Sequence, residues 1–297
     1  MTAGEQGFLL LTSQLGDPQR CPLTTPQLRT LTQRIRQSPR PAHDRELTPD
    51  DLTVLGFSRE MAERITLLLS DQPLLEHYLR RAQQANCHPL TRITPGYPQP
   101  LLDRLGPDAP GCLWLKGNVN LLSKPCISLV GSREIHPENL KFAQEVGLQA
   151  AKQGYVLVSG NARGADRAAQ LACLQAGGQV ICVVADELTK RTPGENVLCI
   201  SEEGFDVPFS ALRALSRNRL IHCLSDRVFV AQCDHGHGGT WDGTTRNLKA
   251  GWSRVFCFQD GSDAISELSQ MGAEPINLCE LHNFSSLPLP DSGLFGQ

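Results

Sequence analysis

Apolar positions along this chain follow two textures. From residue 126 onward, short runs rich in Val, Ile, Leu, Phe and Cys (126–130, 155–159, 179–185, 226–231, 254–258 and 275–278) alternate with longer amphipathic stretches (137–153, 165–176, 209–224, 243–250 and 263–271). Buried β-branched runs separated by helical spacing predict a mostly parallel, doubly wound α/β sheet. Before residue 90 the spacing is helical. Thr25-Pro26 opens one helix with Leu28, Leu31 and Ile35 on one face, and Thr48-Pro49-Asp50-Asp51 opens another with acids at its positive end. Leu55-Gly56-Phe57-Ser58 turns into a helix over 60–69, and a further one covers 74–85. Prolines between Pro95 and Pro110 predict an extended surface connector. The chain divides into a small, possible helix-hairpin-helix-like domain (1–90), a connector (91–120), an α/β domain (121–280) and a flexible tail (281–297), with no internal repeat.

The α/β texture carries the candidate chemistry. Ile127-Ser128-Leu129-Val130 runs into Gly131-Ser132-Arg133, and Tyr155-Val156-Leu157-Val158 runs into Ser159-Gly160-Asn161-Ala162-Arg163-Gly164-Ala165-Asp166. A strand, then Gly, small polar residues and Arg, then a helix is how such sheets build anion sites. The glycines let the backbone approach, and the helix presents free N–H groups and its positive dipole end. On neighbouring parallel strands, Arg133 and Arg163 would share one rim at the carboxyl ends, where open α/β sheets bind ligands. The expected ligand bears phosphate: a nucleotide or a nucleic-acid backbone. Asp166 sits where it could cap the following helix.

Arg217, Asn218 and Arg219 fall in a helical pattern whose Leu212, Leu215, Leu220, Ile221 and Leu224 should face inward. Arg213, Arg217 and Asn218 can share a polar face, and the planar Arg fork suits phosphate. Gly236-His237-Gly238-Gly239-Thr240-Trp241 forms a second phosphate-type loop feeding a helix. Trp241 either stacks a base or plugs the loop onto the core, and Lys249 is a further candidate for backbone contact. Cys233, Asp234, His235 and His237 match no zinc spacing and have no second ligand cluster, so neither a metal nor another cofactor is expected. No Ser-His-Asp or Cys-His arrangement can be read, so no catalytic residue is assigned.

Composition narrows the picture. With 297 residues, 40% of them hydrophobic, the chain can bury a sizeable core. The net charge of -3 gives no global basic field, so any nucleic-acid site must be local. The 11 cysteines sit mostly among apolar neighbours with no C-x-x-C pair, as expected of buried thiols in a reducing cytoplasm. Phe8-Leu9-Leu10-Leu11 is too short for a signal peptide or a membrane span, so a cytosolic protein without membrane contact is expected.

In order, Thr94-Pro95-x-Tyr97-Pro98-x-x-Leu101, Leu113-Trp114-Leu115-Lys116-Gly117, Val130-Gly131-Ser132-Arg133, the Ser159–Asp166 turn, Ala176-Gly177-Gly178 and Arg217-Asn218-Arg219 resemble the DNA-processing protein A family (DprA, also called Smf) over roughly residues 90–278. The resemblance implies a Rossmann-like fold and a non-enzymatic, cytoplasmic binder of single-stranded DNA. It also implies protection of the strand, loading of a RecA-type recombinase during DNA uptake or recombination, and a homodimer. Ala165 replaces the family's usual Ile, Gln170 its usual His, and the winged helix found in many members has no counterpart in the pattern.

The Gly238-Gly239-Thr240…Gly243-Thr244 segment is also similar to nucleoside-monophosphate phosphoribohydrolases, which place a Glu where this chain has Asn247. An amide cannot act as a general base. A nucleotide-derived ligand sensor or such a hydrolase is therefore the alternative, and an interaction module for a recombinase or replication factor is a third reading. Ser292-Gly293-Leu294-Phe295 weakly resembles sliding-clamp ligands. Removal of residues 283–297 is expected to leave folding and DNA binding intact.

Overall fold

The computed structural model describes residues 1–38 and 47–290. Five helices lead the chain: α1 (Ala3–Thr12), α2 (Thr25–Gln37), α3 (Pro49–Val54), α4 (Arg59–Ser70) and α5 (Gln72–Gln84). Their starts follow local chemistry. Thr48 and Asp51 form a capping box at α3, Thr24 and Gln27 do the same at α2, and Ser58 caps α4. Leu28, Leu31, Leu52, Ala62, Ile65 and Leu68 close a small core among them. Leu9 and Leu10 of α1 and Leu75, Tyr78 and Ala82 of α5 belong instead to the core beneath the sheet.

Among the described residues the strands form one nine-stranded sheet in the order β1-β2-β6-β5-β4-β3-β7-β8-β9. Its parallel part is β3 (Cys126–Val130), β4 (Val156–Ser159), β5 (Gln179–Val183), β6 (Val197–Ser201), β7 (Arg227–Val230), β8 (Arg254–Phe258) and β9 (Glu274–Ile276). Register places Ile127 opposite Leu157 on one side and Arg227 on the other. The strand period of two sends Ile127, Leu129, Leu157 and Phe229 to one face and Val130, Val156, Val158 and Val228 to the other. The first face is covered by α7 (Pro137–Lys152) and α8 (Ala165–Gln175), the second by α9 (Ala211–Cys223) and α11 (Asp263–Gln270), so the sheet is doubly wound as predicted.

Three strands escape the sequence reading. The connector is not extended. β1 (His88–Thr91) ends where it begins, α6 (Gln99–Leu105) occupies the Pro-rich stretch and β2 (Cys112–Gly117) follows; β2 pairs antiparallel with both β1 and β6. Pro89 is tolerated because β1 is the sheet's edge. The apolar run Leu113-Trp114-Leu115 is fully buried, which outweighs the flanking breakers. β6, Val-Leu-Cys-Ile-Ser, has no amphipathic helix between it and β5, so it breaks the strand–helix alternation that marks the other parallel strands.

The tail also differs from expectation. Leu281 and Phe284 are completely buried, with the Phe284 ring 5.1 Å from Phe229 and 5.7 Å from Tyr155. Arg227 Nη2 donates to the Leu287 carbonyl at 2.7 Å. The segment through residue 290 closes the sheet's lower end, because aromatic side chains there still find uncovered strand surface. The Ser292–Phe295 segment lies outside the described residues.

All eleven cysteines are free and eight are buried. No described helix is long and apolar enough to cross a membrane.

Candidate functional site

The chain leaves β3 toward β4, β5 and β6 on one side, and resumes with β7, β8 and β9 on the other. Loops after β3 and β7 therefore part at this topological switch point and leave a crevice between them. It is a cavity of ≈ 610 Å³. Gly131, Ser132 and Arg133 line it from the β3 loop, Arg163 from the β4 loop, and Gly238, Gly239 and Thr240 from the start of α10 (Gly239–Ala250). Arg217 and Asn218 enter from α9. Sequence-predicted residues from four separate segments thus meet in one hollow.

Close approach explains the glycines. A Cβ at position 131 would lie 2.5 Å from Ala165 Cβ, so the two turns can touch only without it. At position 164 φ is +85° and a Cβ would lie 2.4 Å from the Ser132 carbonyl. Asn161 carries φ 54, a left-handed conformation that Asn tolerates. Position 160 matters most: a Cβ would sit 1.4 Å from Arg217 Nη1, so the guanidinium lies directly over this glycine.

Arg217 is 7% exposed, and its Nε and Nη1 have no hydrogen-bond partner. Burial lowers its pKa, opposed by the charge of Asp166. Asp166 is buried as well; burial raises its carboxyl and Arg217 opposes the rise. Asp166 does not cap α8, whose N-cap is Gly164. Its Oδ2 accepts from the backbone N–H groups of Gly160 at 3.1 Å and Ala162 at 3.2 Å, which fixes the Arg163 loop. On the facing side, the N-cap of α10 is Gly238, φ +89°, which offers no side-chain cap. Gly238, Gly239 and Thr240 line the same cavity as Arg217, which puts the free N–H groups and positive dipole end of α10 at its wall. Asn218 Nδ2 donates to the Gly239 carbonyl at 2.9 Å and ties α9 to that turn. Arg133 and Arg163 stand at the exposed rim, Arg163 3.6 Å from Glu134.

The remaining candidates lie elsewhere. Ser159 ends β4 fully buried below the cavity floor. Arg219 pairs with Glu202 at 2.8 Å on the outer side of α9, and Lys249 lines a separate hollow with it. Trp241 packs against the core and edge-on to His235, 5.3 Å between ring centres, and does not line the cavity. Arg213 is a structural tie, donating to the carbonyls of Ala185, Val207 and Pro208. Asn247 is sealed beneath α10, where Nδ2 contacts His222 Nδ1 and donates to Ser253 Oγ. Among the described residues no group of three or more His, Cys, Asp or Glu could hold a metal ion.

An apolar wall was missed. Phe209, Ala211, Ala214 and Leu215 line the cavity opposite the glycine turns, with Phe209 57% and Leu215 42% exposed. Leu212, expected inward, is 77% exposed. The inward face of α9 is instead set by Arg213 and Arg217 in its first two turns and by Leu220, Ile221 and Cys223 after them, so Leu212 and Leu215 turn outward. An apolar periodicity cannot reveal that two arginines take the buried face.

Fold and crevice define a Rossmann-like α/β protein with its cavity at the switch point. The family model described as DNA recombination-mediator protein A matches residues 88–273, from β1 to just before β9, and the chain belongs to this family. It is 36% identical over 135 residues to DNA processing protein DprA of Streptococcus pneumoniae (42% of this chain, 48% of that protein). It is 30% identical over 188 residues to Protein Smf of Escherichia coli (60% and 49%). The matches to these curated relatives thus span about half of their length. The crystal structure of S. pneumoniae DprA superposes with TM-score 0.68 at 26% identity, covering 93% of this chain and 95% of that one. Helicobacter pylori DNA processing protein A, whose structure is described as showing a single-stranded DNA binding mode, superposes with TM-score 0.56 at 26% identity (66% and 94%).

Proposed function

We propose that this protein binds single-stranded DNA, seating a backbone phosphate in the switch-point cavity and holding the flanking strand on its rim. The observation that carries this reading is Arg217: a buried guanidinium with two unpartnered donors, lining the same cavity as the uncapped N-terminus of a twelve-residue helix. Arg217 lines the cavity, and an anion there is favoured both by its guanidinium charge and by the positive end of the helix dipole. Arg133 and Arg163 supply exposed cations for neighbouring phosphates. Phe209 and Leu215 offer an apolar wall on which an unpaired base can stack, as a paired base cannot. The relatives' names place them in DNA processing, and the H. pylori structure concerns single-stranded DNA. In the role inferred here, the protein shields a strand and passes it to a RecA-type recombinase, acting as a homodimer in the cytoplasm. The phosphoribohydrolase reading loses support because Asn247 is buried and does not line the cavity.

Binding titrations with single-stranded, duplex and mononucleotide competitors test the proposal. Arg133→Ala and Arg163→Ala should each weaken single-strand binding by about 1–3 kcal/mol with folding unchanged. Unaltered affinity in both variants, or preference for a free mononucleotide with release of base, would overturn it.

A further inference from the structure

A second hollow, of ≈ 560 Å³, lies on the outer helix layer between α6, α9 and α10. Arg104, Arg219, Arg246 and Lys249 line it, with Trp252 on its wall and Asp108 as its one acid. Asp108 meets Arg29, 3.1 Å away on α2, in an exposed pair. Arg104 is anchored in place: its Nη1 donates to the carbonyls of Cys223 and Ser225, and its Nη2 pairs with Asp226. Arg219 is held by the Asp108 carbonyl and Glu202. These two guanidiniums are fixed rather than flexible. Arg246 meets Asp242 only through Nε, in a pair 64% and 37% exposed, which leaves both of its terminal nitrogens to a ligand. Such a surface pair is worth little and is easily exchanged for phosphate. Lys249 is exposed on the next turn. Trp252 is half-buried beside them.

We infer that this hollow is a second contact site for the same DNA strand, reached along α10 from the cavity. The inference rests on the single-strand reading above. Helix α10 joins the two places: Gly239 and Thr240 line the cavity, while Arg246, Lys249 and Ala250 line the hollow. Its 12 residues span about 18 Å, a reach of several nucleotides. A strand whose phosphate sits on Arg217 therefore meets a cationic, aromatic-walled surface after leaving the cavity along this helix. Local basic charge is the only kind available in a chain of net charge -3. Here four cations line one hollow; Arg104, Arg219 and Arg246 are paired with Asp226, Glu202 and Asp242, so the groups offered to a phosphate are the terminal nitrogens of Arg246 and the exposed Lys249.

The test compares oligodeoxythymidylates of about 4 and about 16 nucleotides on the full chain and on the double variant Arg246→Ala/Lys249→Ala. Both side chains are exposed, so folding is preserved. The long strand should lose about 10-fold in affinity, and its salt slope should fall by about 1.4, the value for two phosphate contacts on single strands. The short strand should bind the variant as it binds the wild type. Equal affinity and equal salt slope for the long strand would overturn the second site. Equal loss for both lengths would also overturn it, by making the hollow the primary site. Failure of the underlying reading is seen separately, as a wild-type protein that binds neither strand.

Discussion

At the residue scale the site turns on one pair of positions, Gly160 and Arg217. Gly160→Ala would push the guanidinium aside, because the new Cβ overlaps Nη1. The displaced group is the far end of a flexible side chain, so unfolding should shift little. Single-strand affinity should fall about 10-fold, a loss of about 1.4 kcal/mol. A titration of the Ala variant checks this, and wild-type affinity would show that Arg217 is not a ligand.

His222 offers a different readout. It is fully buried between α9 and α10, and burial drives its pKa down to about 3 from the ordinary 6.5. The folded form therefore keeps it neutral, while the unfolded chain takes up a proton below pH 6.5. Its contribution to stability is present above that pH and is lost as pH falls toward 3, by about 1.4 kcal/mol per unit. Asp166, whose folded pKa is raised, contributes with the opposite sign. Denaturant titrations of wild type and His222→Leu across pH 4–7 isolate the histidine: the difference between their slopes should carry the predicted sign, and parallel slopes would refute it.

At the scale of elements, the segment after β9 is the instructive case. Proline content and weak periodicity read as a flexible tail, yet Phe284 is fully buried against Phe229 and Tyr155. Phe284→Ala should cost about 3–5 kcal/mol. Removal of residues 283–297 should lower the melting temperature clearly, contrary to the sequence expectation; an unchanged melting temperature would mean that this packing contributes nothing. The same blindness hid β1, β2 and β6. A four-residue edge strand containing Pro and a run flanked by breakers gain their hydrogen bonds from distant partners, and no local pattern records those partners. The alternating strands and helices from 126 to 158 and from 254 to 270 were legible, because each carries its own periodicity and helix-start signal, Pro137 at α7 and the Ser262 cap at α11.

At the scale of the molecule, the helical unit and the sheet share one core. Tyr78 of α5 meets Trp114 at 5.2 Å and Phe205 at 4.7 Å, and its hydroxyl donates to Asp206 at 2.6 Å. A fragment of residues 121–280 would strip α5 and β2 from this aromatic cluster. It should fail to fold cooperatively, whereas the full chain should unfold with these parts coupled; circular dichroism melts of both decide this, and a cooperative fragment would restore the boundary near residue 120.

The sequence by itself determined the doubly wound sheet, the glycine turns that end β3 and β4, and the arginines that follow them, because strand periodicity, turn chemistry and anion-binding backbone are local properties. Only the tertiary structure decided that Arg217 is buried and unpartnered over Gly160, that Phe209 stands exposed beside it, and that Arg219 and Lys249 belong to a different hollow from Arg133. Those facts depend on which elements lie against which. Burial and pairing are set by neighbours distant in the chain, and a helical pattern fixes a side chain's angle about its own axis but not what waits on that side.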